Sequence, residues 1–213
     1  MADSTLLIAC GALAREVVAL KNQYQFIDLN IICLDARLHN TPEQITGKLR
    51  QKIRAHRSEY ARILIGYADC GTGGAIDRLI ESEQAFGEIA RLPGAHCYEF
   101  YAGSSRFQQM ADDEPGTFYL TDFLVRHFQT LVIDALKIDE HPQLLAQYFK
   151  HYRRVVYLSQ VLDPELQALA RSAADRLGLQ FEQVHCGYGL LEGVIRQNVG
   201  TEHEDQTDHR LLA

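Results

Sequence analysis

Nowhere in the 213 residues does an apolar run approach the roughly 20 residues that span a bilayer, so no membrane anchor is expected. The opening MADSTLLIACG has neither a basic stretch nor a long apolar core. No secretory leader is expected, and the chain reads as cytoplasmic. Positive charge is also short: 21 Lys and Arg stand against 28 Asp and Glu, a formal net charge of −7. Phosphate backbones are held by a basic stripe, so nucleic acid is not expected as a main partner. The densest basic runs, KLRQKIRAHR and HYRR, alternate with apolar residues and read as solvated helix faces. No two of the five cysteines form a C-x-x-C pair, which removes a zinc-finger spacing. A cytoplasmic chain is equally unsuited to a disulfide framework. There is no linker rich in Gly, Pro or Ser and no fixed-period repeat.

What is present is alternation. Apolar runs at TLLIA, LNIICLD, RILIGYA, RVVYLSQ and LQFEQVHCG read as strands. Between them lie helical patterns: ALAREVVALKNQY, a helix from the Thr41-Pro42 start to about Ser58, GAIDRLIESEQ, HPQLLAQYFKHY, DPELQALARSAADRLG and YGLLEGVIRQN. Thr41 with Gln44 fits a capping box, while Asp163, Pro164 and Gly178 mark both ends of one helix. Residues 119–136, YLTDFLVRHFQTLVIDAL, read as one strong helix capped at Thr121 or Asp122. The signal is weak from Phe86 to Gly116, with one or two short strands around Pro93-Gly94 and then a polar connector. The expected fold is α/β, a mostly parallel sheet with helices on both faces. It forms one domain over residues 1–199, with a weak division into two small lobes near 100–120, followed by a flexible polar tail over 200–213.

In parallel α/β proteins, sites gather where strands end and helices begin. Cys10, in IACG, and Cys70, in ADCGTGG, both fall there, and Cys97, in GAHCYEF, does so more loosely. A thiol at a helix start is biased toward thiolate, the form that binds metal or attacks an electrophile. Three readings stand side by side. The cysteines are small apolar plugs at tight turns; or they converge as metal ligands, with a fourth position open or filled by His96, His39 or Glu16; or one is a nucleophile with His96 or His39 as base, for which no catalytic motif is present. Cys186, in HCGYG, repeats the strand-Cys-Gly device and is a candidate fourth thiolate, whereas Cys33 sits within a strand and reads as core. Gly71, Gly73 and Gly74 could cradle an anion, although neither phosphate-binding glycine motif matches. Asp69 reads as a loop cap or an orienting group, and Tyr119, Thr121 and Asp122 as neighbours of the same cleft.

Together IACGALAREV, LHNTPEQI, YADCGTGG, HCYEFYAG, YLTDFLVRHF, YFKHYRRVVYLSQ and GYGLLEG resemble the family called domain of unknown function 1638, from Leu6 to about Glu192. Members are often encoded beside corrinoid-dependent methyltransferase systems for methylated amines, which implies a role around methyl transfer. The family's cysteine motifs fall on Cys10, Cys70 and Cys97, with His39 in its LHN motif. Cys33 and Cys186 stand outside that pattern, which favours three thiolates over four.

The sequence therefore leads to the expectation of a metal-binding α/β protein. Cys10, Cys70 and Cys97 would hold zinc or an iron–sulfur cluster, with His39 and the Gly71–Gly74 loop beside it. The substrate would be a small thiol or methylated compound, and the partners a corrinoid protein or methyltransferase. Two alternatives stay open: a non-catalytic accessory protein, such as a metal or corrinoid-methyltransferase chaperone, and a small-anion binding module built on the glycine loop.

Overall fold

The computed structural model describes residues 4–199; the tail expected over 200–213 lies outside them. The strands are β1 (Thr5–Cys10), β2 (Leu29–Leu34), β3 (Arg62–Gly66), β4 (Glu88–Arg91), β5 (Thr117–Thr121), β6 (Arg154–Ser159) and β7 (Gln180–His185). They form two all-parallel sheets, ordered β2-β1-β3-β4 and β5-β6-β7. The helices are α1 (Ala14–Gln23), α2 (Ile45–His56), α3 (Ala75–Glu83), α4 (Tyr98–Ala102), α5 (Ser104–Asp113), α6 (Asp122–Arg126), α7 (Gln143–Tyr148), α8 (Pro164–Leu177) and α9 (Gly189–Val199). The α/β class expected from the alternation is the class observed.

All six residues of β1 are buried, as a strand covered on both faces requires. Against this sheet pack Val17 and Leu20 of α1, Ile45, Leu49 and Ile53 of α2, Ile76, Leu79 and Ile80 of α3, and Leu191 and Ile195 of α9. The second sheet sets Val155 and Tyr157 against Val125 of α6 and the Leu166, Ala170, Ala173 and Ala174 stripe of α8. Its other face places Val156, Leu158 and Val184 against Met110 of α5. The chain passes from one sheet to the other through α4 and α5 and returns when α9 joins the first core. Gly189 makes that return feasible: its φ is +51°, and a Cβ there would come within 2.3 Å of the Phe100 carbonyl oxygen.

Three local expectations change. Residues 119–136 are not one helix. Thr117–Thr121 is a strand, α6 follows, and a wider helical turn covers Gln129–Asp134. The Thr121 side chain does cap α6, accepting from the Leu124 N–H at 3.4 Å. The polar connector after Gly103 is the helix α5. Thr41 precedes a short 3-10 turn, Pro42–Gln44, with no side-chain capping bond, so the capping box does not form. Asp163 behaves as read, accepting from Glu165 N–H at 2.9 Å and Leu166 N–H at 3.3 Å.

Candidate functional site: thiols at one sheet edge

Strand order decides the placement of the cysteines. β1, β3 and β4 are consecutive in the first sheet, and Cys10, Cys70 and Cys97 follow those three strands at the carboxyl edge. The loops that carry two of them are tied together. The Asp69 N–H donates to the Gly94 carbonyl at 3.1 Å, and the Cys70 N–H to the Ala95 carbonyl at 3.0 Å. Each of the three thiols is near enough to another to resist its ionisation. Burial pushes Cys10 up to about 11 and Cys70 up to about 12, with Cys10 adding to the latter. Cys97 goes higher still, by burial first and then by Cys70 and Cys10. Burial favours the neutral thiol at all three positions.

Cys10 has the most structured surroundings. Its Sγ accepts from the Ala12 N–H at 3.4 Å and lies 3.5 Å from His39 Nδ1. Because His39 Nδ1 is also 3.2 Å from the Ala36 carbonyl oxygen, that nitrogen is the protonated one in the neutral ring. The His39 ring stacks on Tyr67 with centroids 6.2 Å apart and planes 16° from parallel. Desolvation lowers the His39 pKa, which favours the neutral ring.

Cys70 has a left-handed backbone, φ +49°, and Gly71, Gly73 and Gly74 follow at +79°, +61° and +76°. Such a conformation is uncommon for a residue with a side chain, and strain of this kind gathers at functional sites. The glycine loop is not an open anion cradle. The Asp69 carboxylate already accepts from Gly74 N–H at 2.6 Å, Gly73 N–H at 3.1 Å and Thr72 Oγ1 at 2.9 Å. Those bonds, the Gly74 one first, hold Asp69 below the usual carboxylate range.

The remaining candidates divide. Cys186 packs against the first core, as Cys70 and Cys97 do; its thiol donates to the Val184 carbonyl at 3.6 Å, and burial raises its pKa. Cys33 is exposed rather than core, because β2 is an edge strand. His96 is exposed and leans on Phe107, with ring centroids 6.3 Å apart. Glu16 is buried on α1 with its Oε2 unpartnered, and burial raises its pKa. Asp122 belongs to a hydrogen-bonded network in the second sheet, and the Tyr119 hydroxyl is buried without a partner. Tyr67 was not singled out from the sequence at all. The β1–β3 pairing ends at Ala9 with Gly66, and Cys10 and Tyr67 are the next residue along each strand. Its hydroxyl lies close to both Cys10 and Cys70. The available signal was the aromatic residue at the end of an apolar run, RILIGYA, which gives no face until the register is known.

Among the described residues, no group of three or more His, Cys, Asp or Glu side chains is set closely enough to hold a metal ion as it stands. The donor chemistry nevertheless suits a thiophilic centre. Three sulfurs share one edge, and a χ1 change between staggered wells would swing each sulfur about its Cα–Cβ bond. Among those residues, too, no helix is long and apolar enough to cross a membrane.

Fold and edge together define a parallel α/β protein with Cys10 at the end of β1 and Cys70 and Cys97 in the segments after β3 and β4. The chain belongs to the family described as "protein of unknown function (DUF1638)", whose model matches residues 33–195. The match includes Cys70, Cys97 and His39; Cys10 precedes it. No curated protein and no solved structure matches the chain.

Proposed function

We propose that this is a cytoplasmic metal–thiolate protein in which Cys10, Cys70 and Cys97 hold a zinc ion or an iron–sulfur cluster with one coordination position open. The observation that carries this reading is the placement of the three thiols beyond three neighbouring strands of one parallel sheet. When bound, zinc would keep a substrate thiol deprotonated at neutral pH, and a cluster would act through its uncapped iron.

The protein's own residues have three tasks. The Asp69 N–H to Gly94 and Cys70 N–H to Ala95 bonds keep the Cys70 and Cys97 loops together. The Ala12 N–H and His39 Nδ1 steady the Cys10 sulfur. The left-handed turn at Cys70 and the positive-φ glycines after it set the direction of the Cys70 side chain. The substrate class is a small thiol or methylated compound. The partner that the resemblance implies is a corrinoid protein or its methyltransferase. The occupied amides of Gly73 and Gly74 count against the anion-binding alternative.

The test is anaerobic purification with elemental analysis and absorption spectra, on wild type and on Cys10→Ser, Cys70→Ser and Cys97→Ser. Cys33→Ser and Cys186→Ser serve as controls. Each of the first three changes should lower metal content at least about tenfold while the fold persists, and the controls should keep it. Metal-free wild type, or metal retained in all three variants, ends the reading. A metal with no position open to added thiol would move the assignment to an accessory role.

A further inference from the structure

Helix α2 is basic in a chain whose formal net charge is −7. Between Ile45 and His56 it carries Lys48, Arg50, Lys52 and Arg54 and no acidic residue. Ile45, Leu49 and Ile53 face the core, which turns those four cations away from it. Lys48 with Lys52, and Arg50 with Arg54, are like charges one helical turn apart, which repel. On one flank the repulsion is offset. Glu83 of α3, fully buried, accepts from Arg54 Nε at 2.9 Å and lies 3.7 Å from Arg50 Nε. On the other flank, among the described residues, neither Lys48 nor Lys52 has an acidic partner within ion-pair distance.

The chain itself supplies a counter-charge. Residues 202–208, EHEDQTD, hold four carboxylates: Glu202, Glu204, Asp205 and Asp208. The end of α9 decides where they leave the fold. The Asn198 carbonyl accepts from Arg62 Nη1 at 2.7 Å and from Thr5 Oγ1 at 3.3 Å. Thr5 and Arg62 are the paired first residues of β1 and β3, so α9 ends at the amino edge of the first sheet. Helix α2 ends at that edge too, because only residues 57–61 separate it from β3. At about 3.4 Å per extended residue and 1.5 Å per helical one, Lys52 is no more than about 25 Å from Arg62. Glu202 to Asp208 stand four to ten residues beyond Asn198, a reach of about 14–34 Å.

We propose that residues 202–208 dock on the outer face of α2, with their carboxylates beside Lys48, Lys52 and the Arg50–Arg54 pair. The tether makes the encounter intramolecular, at an effective concentration in the millimolar range, so exposed ion pairs that are weak singly suffice together. The docked segment shields the basic helix from other polyanions, and the thiols take no part.

The test is zero-length carbodiimide cross-linking of the full chain, which joins a carboxylate to a lysine amine in contact with it. The chain has five lysines, and Lys137 and Lys150, both exposed, are the internal controls. Links from residues 202–208 should fall on Lys48 and Lys52. They should drop at least about fivefold between 20 mM and 1 M salt, where the Debye length shrinks to about 3 Å. Mixing 15N-labelled with unlabelled chains separates links within one chain from links between copies. A second arm acetylates wild type beside a full chain carrying Glu202→Gln, Glu204→Gln, Asp205→Asn and Asp208→Asn. Lys48 and Lys52 should react about threefold faster in that variant, and Lys137 and Lys150 at unchanged rates. Links absent, spread over the control lysines or formed between copies overturn the docking, as do equal acetylation rates in the two proteins.

Discussion

At the carboxyl edge of the second sheet, the Asp122 carboxylate accepts from Tyr157 Oη at 2.6 Å and from the N–H groups of Gln160 and Val161 at 3.1 Å each. The Asp122 N–H in turn donates to Gln160 Oε1 at 2.8 Å. At the corresponding edge of the first sheet, the Tyr67 hydroxyl and Glu16 Oε2 are buried without a hydrogen-bond partner, and burial raises the pKa of Cys10, Cys70 and Cys97. Both edges belong to parallel sheets and both bury polar groups; the Asp122 carboxylate is fully engaged, while Tyr119 of β5, like Tyr67 and Glu16, buries an oxygen without a partner. A satisfied network specifies and holds a fold, whereas a buried polar group without a partner weakens it. The contrast lies between the engaged carboxylate of Asp122 and the three thiols at the end of the first sheet.

The contrast can be broken most directly by exchanging its two sides. Cys70→Ser should abolish metal retention with little change in thermal unfolding, whereas Asp122→Ala should do the reverse. Removing Asp122 strands one hydroxyl and two N–H groups, so urea denaturation should show a loss of at least about 3 kcal/mol with metal content per folded chain unchanged. Equal loss of metal in both variants would mean that the edges are not separate in role.

Glu16 sharpens the comparison through pH. Its folded carboxyl is raised above 4.5, by burial first, so the folded state holds the proton more tightly than the unfolded one. The sign follows: stability is greatest below about 4.5 and falls as pH climbs through the raised folded value. Glu16→Gln stays neutral and should remove that decline, so denaturation midpoints of the two proteins should converge in acid and separate toward neutral pH. Parallel profiles would deny Glu16 its buried, unpartnered state.

The smallest effects concern two helix starts that look alike in sequence. Asp163→Ala removes a side chain that accepts two N–H groups and should cost about 1 kcal/mol. Thr41→Ala removes no capping bond and should stay within about 0.5 kcal/mol. Chemical denaturation of both variants checks the pair.

Legibility in the sequence followed the same divide. β1, β3 and β6 were readable because buried parallel strands are short, apolar and bounded by turns. α8 was readable from Asp163, Pro164 and Gly178, each of which acts on the backbone next to it. β5 was hidden because TFYLT leads straight into the apolar DFLVR, and a short apolar run has no period of its own. Of the candidate site, Cys10, Cys70 and Cys97 were legible as thiols at strand ends. Tyr67 was not, since its neighbour across the sheet depends on register.

The sequence alone determined the α/β class, the caps of α8 and the positions at which thiols meet glycine-rich turns, because these are set by hydrophobic period and by backbone chemistry over a few residues. The order β2-β1-β3-β4, which sets Cys10, Cys70 and Cys97 at three adjacent strand ends, and the exposed edge position of Cys33 were decided only by tertiary structure. Those features depend on which distant segments share a core, and a local pattern carries no record of its distant partner.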